Sequence, residues 1–201
     1  MATNPGFFTI NDTDKPASAF VVLGTPRGGT TMVSKMLIAA GIFMGERMPV
    51  TAEDPLFARI LMELDPDVAA FRGLIARRQK EGRRWGFKAP FRHHWRLLQS
   101  IPDCRFVVVF RDAMAVASRA NMATGIDLMT KLGATLAGQR EITSFLAFTN
   151  RPAFVFSYEK MVTAPDPILS ALAPFLGASQ AETAAMKNVI DLDDPGYQAV
   201  G

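Results

Sequence analysis

The run Pro26-Arg27-Gly28-Gly29-Thr30-Thr31 packs a guanidinium, two glycines and two hydroxyls into consecutive positions. That combination suits an anion: glycines let successive backbone N–H groups converge, the arginine adds charge, and a following helix would point its positive end at the same place. A plain strand-to-helix turn is the alternative reading. The Walker A pattern G-x-x-x-x-G-K-[ST] is matched by Gly24, Gly29 and a following hydroxyl, but Thr30 stands where the lysine belongs. Nothing in the loop therefore reaches the β- and γ-phosphates of ATP as a P-loop kinase requires.

The loop needs a strand before it and a helix after it, and the pattern supplies both. Ala19 to Leu23 is a continuous apolar run, the signature of a buried strand, and Met32, Met36, Leu37 and Ala40 follow at helical spacing up to Gly41. Further helices are expected over Glu53 to Leu64, Asp67 to Lys80, Arg92 to Gln99, Ala113 to Met122, Pro167 to Leu176 and Gln180 to Ile190. A longer stripe runs from Ile126 to Leu146. Strands are expected at Arg84 to Lys88, Cys104 to Phe110 and Ala153 to Ser157. Strands alternating with helices predict an α/β fold, a parallel sheet flanked by helices on both faces.

Composition narrows the class. With 201 residues, 49% of them hydrophobic, the chain is long enough for one core, and disorder is excluded as its main state. The expected division is an N-terminal arm over residues 1–18 and a single domain over 19–201. No apolar run approaches the ~18 residues of a membrane span, and the N-terminus lacks the pattern of a signal peptide. A soluble, cytoplasmic protein is the expectation. Cys104 is the only cysteine, which excludes a disulfide framework or a thiolate zinc site. An excess of 22 Lys and Arg over 19 Asp and Glu, net +3, suits a small anionic ligand better than a nucleic-acid groove.

The loop resembles the 5′-phosphosulfate loop of the sulfotransferases, and three further segments agree in order. Phe106 to Asp112 resembles the family's 3′-phosphate segment, Phe156 to Gly177 its Tyr-Glu segment and helix end, and Trp85 to Pro90 the segment whose lysine faces the transferred sulfuryl group. The resemblance implies a P-loop NTPase-like sulfotransferase fold. It implies as donor 3′-phosphoadenosine 5′-phosphosulfate (PAPS), with product PAP and no metal. Pro26, Arg27, Gly28, Gly29, Thr30 and Thr31 would form the cradle, Lys88 would stabilise the sulfuryl oxygens, and Arg111 would bind the 3′-phosphate. The usual helix serine is replaced, either by Ser118 or by Arg119. Tyr158 is carried over as a candidate beside the adenine; its alternative is a tyrosine closing a strand edge.

Cytosolic members place a catalytic histidine where this chain has Pro90, so the likeness is to the bacterial and Golgi-type branches, in which a carboxylate from the segment after the loop helix acts as base. Glu46, Glu53 and Asp54 lie in the corresponding stretch, with Glu53 slightly ahead of Glu46. Glu53-Asp54-Pro55 reads equally well as a helix N-cap. His93 and His94 lack a third ligand and are expected at an acceptor rim. The basic cluster Arg77, Arg78, Lys80, Arg83 and Arg84 reads as a solvated helix end, or else as a contact for an anionic glycan. The acceptor implied is a small molecule, glycan or lipid bearing a hydroxyl or amine. The rivals are a small-molecule kinase using ATP and magnesium, and a nucleotide-binding module without catalysis.

Overall fold

The computed structural model describes residues 4–46, 51–89 and 94–192. Its core is one five-stranded sheet of order β1-β5-β4-β2-β3. The strands are β1 (Phe7–Ile10), β2 (Ala19–Leu23), β3 (Trp85–Lys88), β4 (Cys104–Phe110) and β5 (Ala153–Ser157). The last four are mutually parallel, with Val21 opposite both Phe87 and Phe106, and Val108 opposite Val155. All of β2 and β3 is buried, which is why they read as unbroken apolar runs.

Alternation along each strand sorts side chains to two faces. Val21, Phe87, Phe106 and Val155 face a layer made by α2 (Pro55–Met62), α3 (Val68–Lys80), α4 (Trp95–Gln99) and α6 (Leu128–Phe148). Aromatic stacking organises it: the Phe57 and Phe87 rings lie 3.9 Å apart and nearly parallel. Phe20, Val22, Val107 and Phe154 face α1 (Thr30–Ala39), α7 (Tyr158–Thr163), α8 (Pro165–Leu176) and α9 (Gln180–Leu192), a layer of Met, Leu and Ile. The remaining helix, α5 (Ala113–Thr124), follows β4 and ends at the left-handed Gly125.

Beyond shifts of a few residues at helix ends, such as α8 starting at Pro165 rather than Pro167, three differences from the sequence expectation bear on the fold. Residues 7–10, expected as part of a polar arm, form β1, which pairs antiparallel with β5 while Phe7 stacks on Phe154 at 5.3 Å. So short a strand has no pattern of its own; the open edge of β5 supplies it. Helix α2 starts at Pro55 rather than Glu53, because Asp54 sits in extended backbone as its N-cap. Helix α7 was not expected: Ser157 ends β5 and caps α7 at once, accepting from the Lys160 N–H. Of the expected helix over 92–99, residues 92 and 93 lie outside the described residues.

Candidate active site

In a parallel sheet covered by helices, helix N-termini collect at the carboxyl ends of the strands. Helices α1, α5 and α7 start there, after β2, β4 and β5. Asp112 caps α5, accepting from the Ala115 N–H at 2.8 Å, and Ser157 caps α7. At α1 the cap position is Gly29, whose left-handed φ of 93° lets the loop turn and which offers no side-chain acceptor. The first-turn amides of α1 therefore lack a side-chain cap, and no acidic residue lies in that turn. Gly24 is required for a different reason: a Cβ there would fall 2.6 Å from Thr30 Cγ2 and 3.1 Å from the Val109 carbonyl oxygen. Arg27 itself adopts φ 65°, an uncommon conformation for a non-glycine residue.

These amides open onto a cavity of about 570 Å³. Its lining includes Pro26, Arg27, Gly29, Thr30, Thr31, Glu53, Lys88, Arg111, Arg119 and Tyr158, drawn from five separate segments of the chain. Gly28 is buried beneath the loop, donating its N–H to the Thr25 carbonyl at 2.9 Å.

Lys88 ends β3 with only 6% of its surface exposed. Its Nζ donates to the Thr51 carbonyl at 2.6 Å and lies 2.9 Å from Glu53 Oε1 and 3.5 Å from Thr31 Oγ1. Thr31 Oγ1 also donates to the Thr51 carbonyl, at 3.2 Å. A lysine from the neighbouring strand β3 is thus set beside the α1 N-terminus and paired with a carboxylate.

The three acidic candidates separate clearly. Glu53, with 39% of its side chain exposed, faces Lys88 in the cavity. Asp54 is buried; it accepts from the Leu56 N–H at 2.9 Å and from Arg78 Nη2 at 2.7 Å. It is a cap and an ion-pair partner, facing away from the site. Glu46 is largely exposed, 3.7 Å from Arg77, and is not part of the cavity lining.

Arg111 follows β4 and is buried, its guanidinium carbon 4.0 Å from the Tyr158 ring centroid and its Nη1 donating to the Arg27 carbonyl at 3.4 Å. Tyr158 packs equally closely on the loop, since a Cβ on Gly29 would fall 2.3 Å from Tyr158 Cδ2. Glu159 Oε1 accepts from the Asp112 N–H at 2.9 Å, tying the turn after β5 to the turn after β4. Between the two residues proposed for the missing serine, Arg119 lines the cavity and Ser118 does not.

Several other residues make contacts within the fold. His94 Nε2 donates to the Glu63 carbonyl at 2.8 Å, closing the end of α2; His93 and Pro90 lie outside the described residues. The arginines of the basic cluster are engaged away from the cavity: Arg78 with Asp54, Arg83 with Glu81 and the Phe43 ring, Arg84 with helix-end carbonyls. Burial pushes the Cys104 thiol up to about 12, so it stays protonated and inert. Sequence reasoning missed Thr51, which contributes a backbone carbonyl that no side-chain pattern announces, and Met62, an apolar residue that is half exposed in the cavity wall.

Among solved structures, the sulfotransferase domain from the curacin biosynthetic pathway superposes with a TM-score of 0.55 and 18% identity, covering 84% of this chain and 77% of that one. The fold is a sulfotransferase fold. No family model and no curated protein matches the chain. Among the described residues, no helix is long and apolar enough to cross a membrane.

Proposed function

We propose that the chain is a sulfotransferase that uses PAPS and transfers the sulfuryl group to a hydroxyl acceptor. The observation that carries this reading is the convergence on one cavity of the α1 N-terminus, which lacks a side-chain cap, the buried Lys88 paired with Glu53, and the buried Arg111 against Tyr158. The donor set fits a ligand with two anionic ends and an aromatic base: amides, hydroxyls and Arg27 for one end, Arg111 and Arg119 for the other, and the Tyr158 ring between the loop and Arg111. When bound, PAPS supplies an electrophilic sulfuryl group and leaves as PAP.

In this reading the chain's own groups divide the work. The α1 amides, Thr30 and Thr31 hold the 5′ end, and Arg27 adds charge from the loop. Lys88 holds a positive charge where negative charge builds on the transferring and leaving oxygens, a placement worth about 10² to 10³ in rate for a single well-aimed donor. Glu53 keeps Oε1 on Lys88 and has Oε2 for the acceptor hydroxyl, whose proton it takes as the oxygen attacks. Partial exposure of Glu53 leaves the acceptor a way in. The arginine cluster over 77–84 is engaged elsewhere, which favours an acceptor without a long anionic chain.

The test is calorimetry on the full chain. Metal-free PAP should bind tightly, and transfer from labelled PAPS to a panel of hydroxyl compounds should follow. Binding of ATP that requires magnesium, with none of PAP, would overturn the reading in favour of a kinase.

A further inference from the structure

Residues 51–54 do two jobs in succession. The Thr51 carbonyl and the Glu53 carboxylate both engage Lys88, at 2.6 and 2.9 Å, while Asp54 turns the other way into the protein. Between them Ala52, itself buried, adopts φ 54°, a left-handed conformation that an alanine takes only under constraint. Something must hold the segment in that shape.

The hold on the far side is Arg78. It lies on α3, 1% exposed, with Nη2 2.7 Å from Asp54 Oδ2 and Nη1 3.8 Å from Glu81 Oε1, its guanidinium carbon 4.6 Å from the Phe43 ring centroid. Space for the Asp54 carboxylate is made by Gly45, where a Cβ would fall 2.8 Å from Oδ2. Asp54 also accepts from the Leu56 N–H, so the same carboxylate anchors the start of α2.

We infer that Arg78 is a positioning residue: acting through Asp54, it imposes the left-handed turn at Ala52 that brings Thr51 and Glu53 onto Lys88. Its importance for catalysis rests on the sulfuryl-transfer reading above; the mechanical link does not. Nothing in the sequence distinguishes Arg78 from its neighbours Arg77, Lys80 and Arg83, because only burial against Asp54 separates them.

The test reads the grip on Lys88 directly. The full chain is acetylated with a water-soluble N-hydroxysuccinimide ester, and the rate at Lys88 is followed by mass spectrometry relative to Lys187, which pairs with Asp166 and is not among the cavity-lining residues. Glu53→Gln sets the scale, raising the Lys88 rate about tenfold, the size expected for coupling between touching groups. Arg78→Met with Asp54→Asn removes both buried charges together, so that neither is left alone. That double variant should raise the Lys88 rate to the same level, and adding Glu53→Gln to it should raise it no further. A folded double variant whose Lys88 reacts at the wild-type rate overturns the inference. If circular dichroism finds the double variant unfolded, Arg78→Lys, which keeps a cation near Asp54 without the two-pronged fit, takes its place: a faster Lys88 supports the link and an unchanged one rejects it. Metal-free PAP binding is measured in parallel on the wild-type chain, so failure of the functional reading is seen separately.

Discussion

The two ends of the sheet use arginine in opposite ways. At the amino end, Arg84 donates to the carbonyls of Leu176 and Gly177 at 2.9 Å and of Ala40 at 2.8 Å. Arg105, largely buried, donates to the carbonyls of Phe175, Thr13 and Lys15. Helices α1 and α8 end here, at Ala40 and Gly177, so their unsatisfied last-turn carbonyls gather at this end, where a cation is the natural cap. At the carboxyl end the backbone presents amides instead. Asp112 and Ser157 satisfy α5 and α7, whereas Gly29 leaves α1 facing a cavity with Lys88, Arg111 and Arg119 in its walls. One end is closed by side chains, and at the other the α1 amides have no side-chain cap, which in the proposed function is where an anion from outside binds. In the proposed function the same residue type is therefore structural at one end and ligand-binding at the other, according to which helix terminus it meets.

If that division is right, changes at the carboxyl end should cost function with little stability, and changes at the amino end the reverse. The largest effect is expected for Glu53→Gln, which should lower kcat about 10² to 10⁴-fold, the usual contribution of a general base, while PAP affinity stays near wild type. Steady-state kinetics with an identified acceptor and calorimetry with PAP make the comparison, and Glu46→Gln, outside the cavity, should change neither. Full turnover in Glu53→Gln would place the base elsewhere.

At the other end, Arg105→Ala removes a nearly buried charge and strands carbonyls of Phe175, Thr13 and Lys15. A loss of about 3 kcal/mol in urea unfolding is expected, on the scale of one or two hydrogen bonds from a charged donor. The folded fraction should bind PAP normally; weakened binding would blur the distinction between the ends.

Arg27→Ala comes next. The side chain is exposed on the loop, so its loss should leave the melting temperature close to wild type. PAP binding should weaken by about 2 kcal/mol, roughly thirtyfold in Kd. An unchanged Kd would remove Arg27 from the cradle.

The smallest effect is a pH dependence at the amino end. Glu182 Oε2 accepts from the Ser179 N–H at 2.6 Å, Ser179 Oγ accepts from the Glu182 N–H at 3.2 Å, and Arg84 lies 3.1 Å from Oε1. The Ser179 amide first, then its hydroxyl and the Arg84 charge, hold the Glu182 carboxyl below its usual range. A carboxylate lowered in the folded state stabilises fully above its ordinary range and loses that stabilisation as the pH falls from there through the lowered folded value. Melting curves of wild type and Glu182→Gln should therefore differ slightly at neutral pH and converge in acid. A gap that persists or widens in acid would count against the assignment.

What the sequence determined is what short-range chemistry governs. The buried strands Ala19–Leu23 and Cys104–Phe110, the glycine turn into α1 and the Asp54-Pro55 cap follow from apolar runs, turn residues and capping preferences within a few positions. The glycine turn that lines the cavity was legible for the same reason. Tertiary structure decided everything that depends on which distant segments meet. It brought Glu53 rather than Glu46 to Lys88, put Arg119 rather than Ser118 in the cavity wall, buried Arg78 against Asp54 while its neighbours met Glu81, Phe43 and helix ends, and added residues 7–10 to the sheet. Carboxylates a few residues apart in chain have the same local chemistry, and their roles diverge only when packing directs one into the cavity, one into the interior and one into solvent.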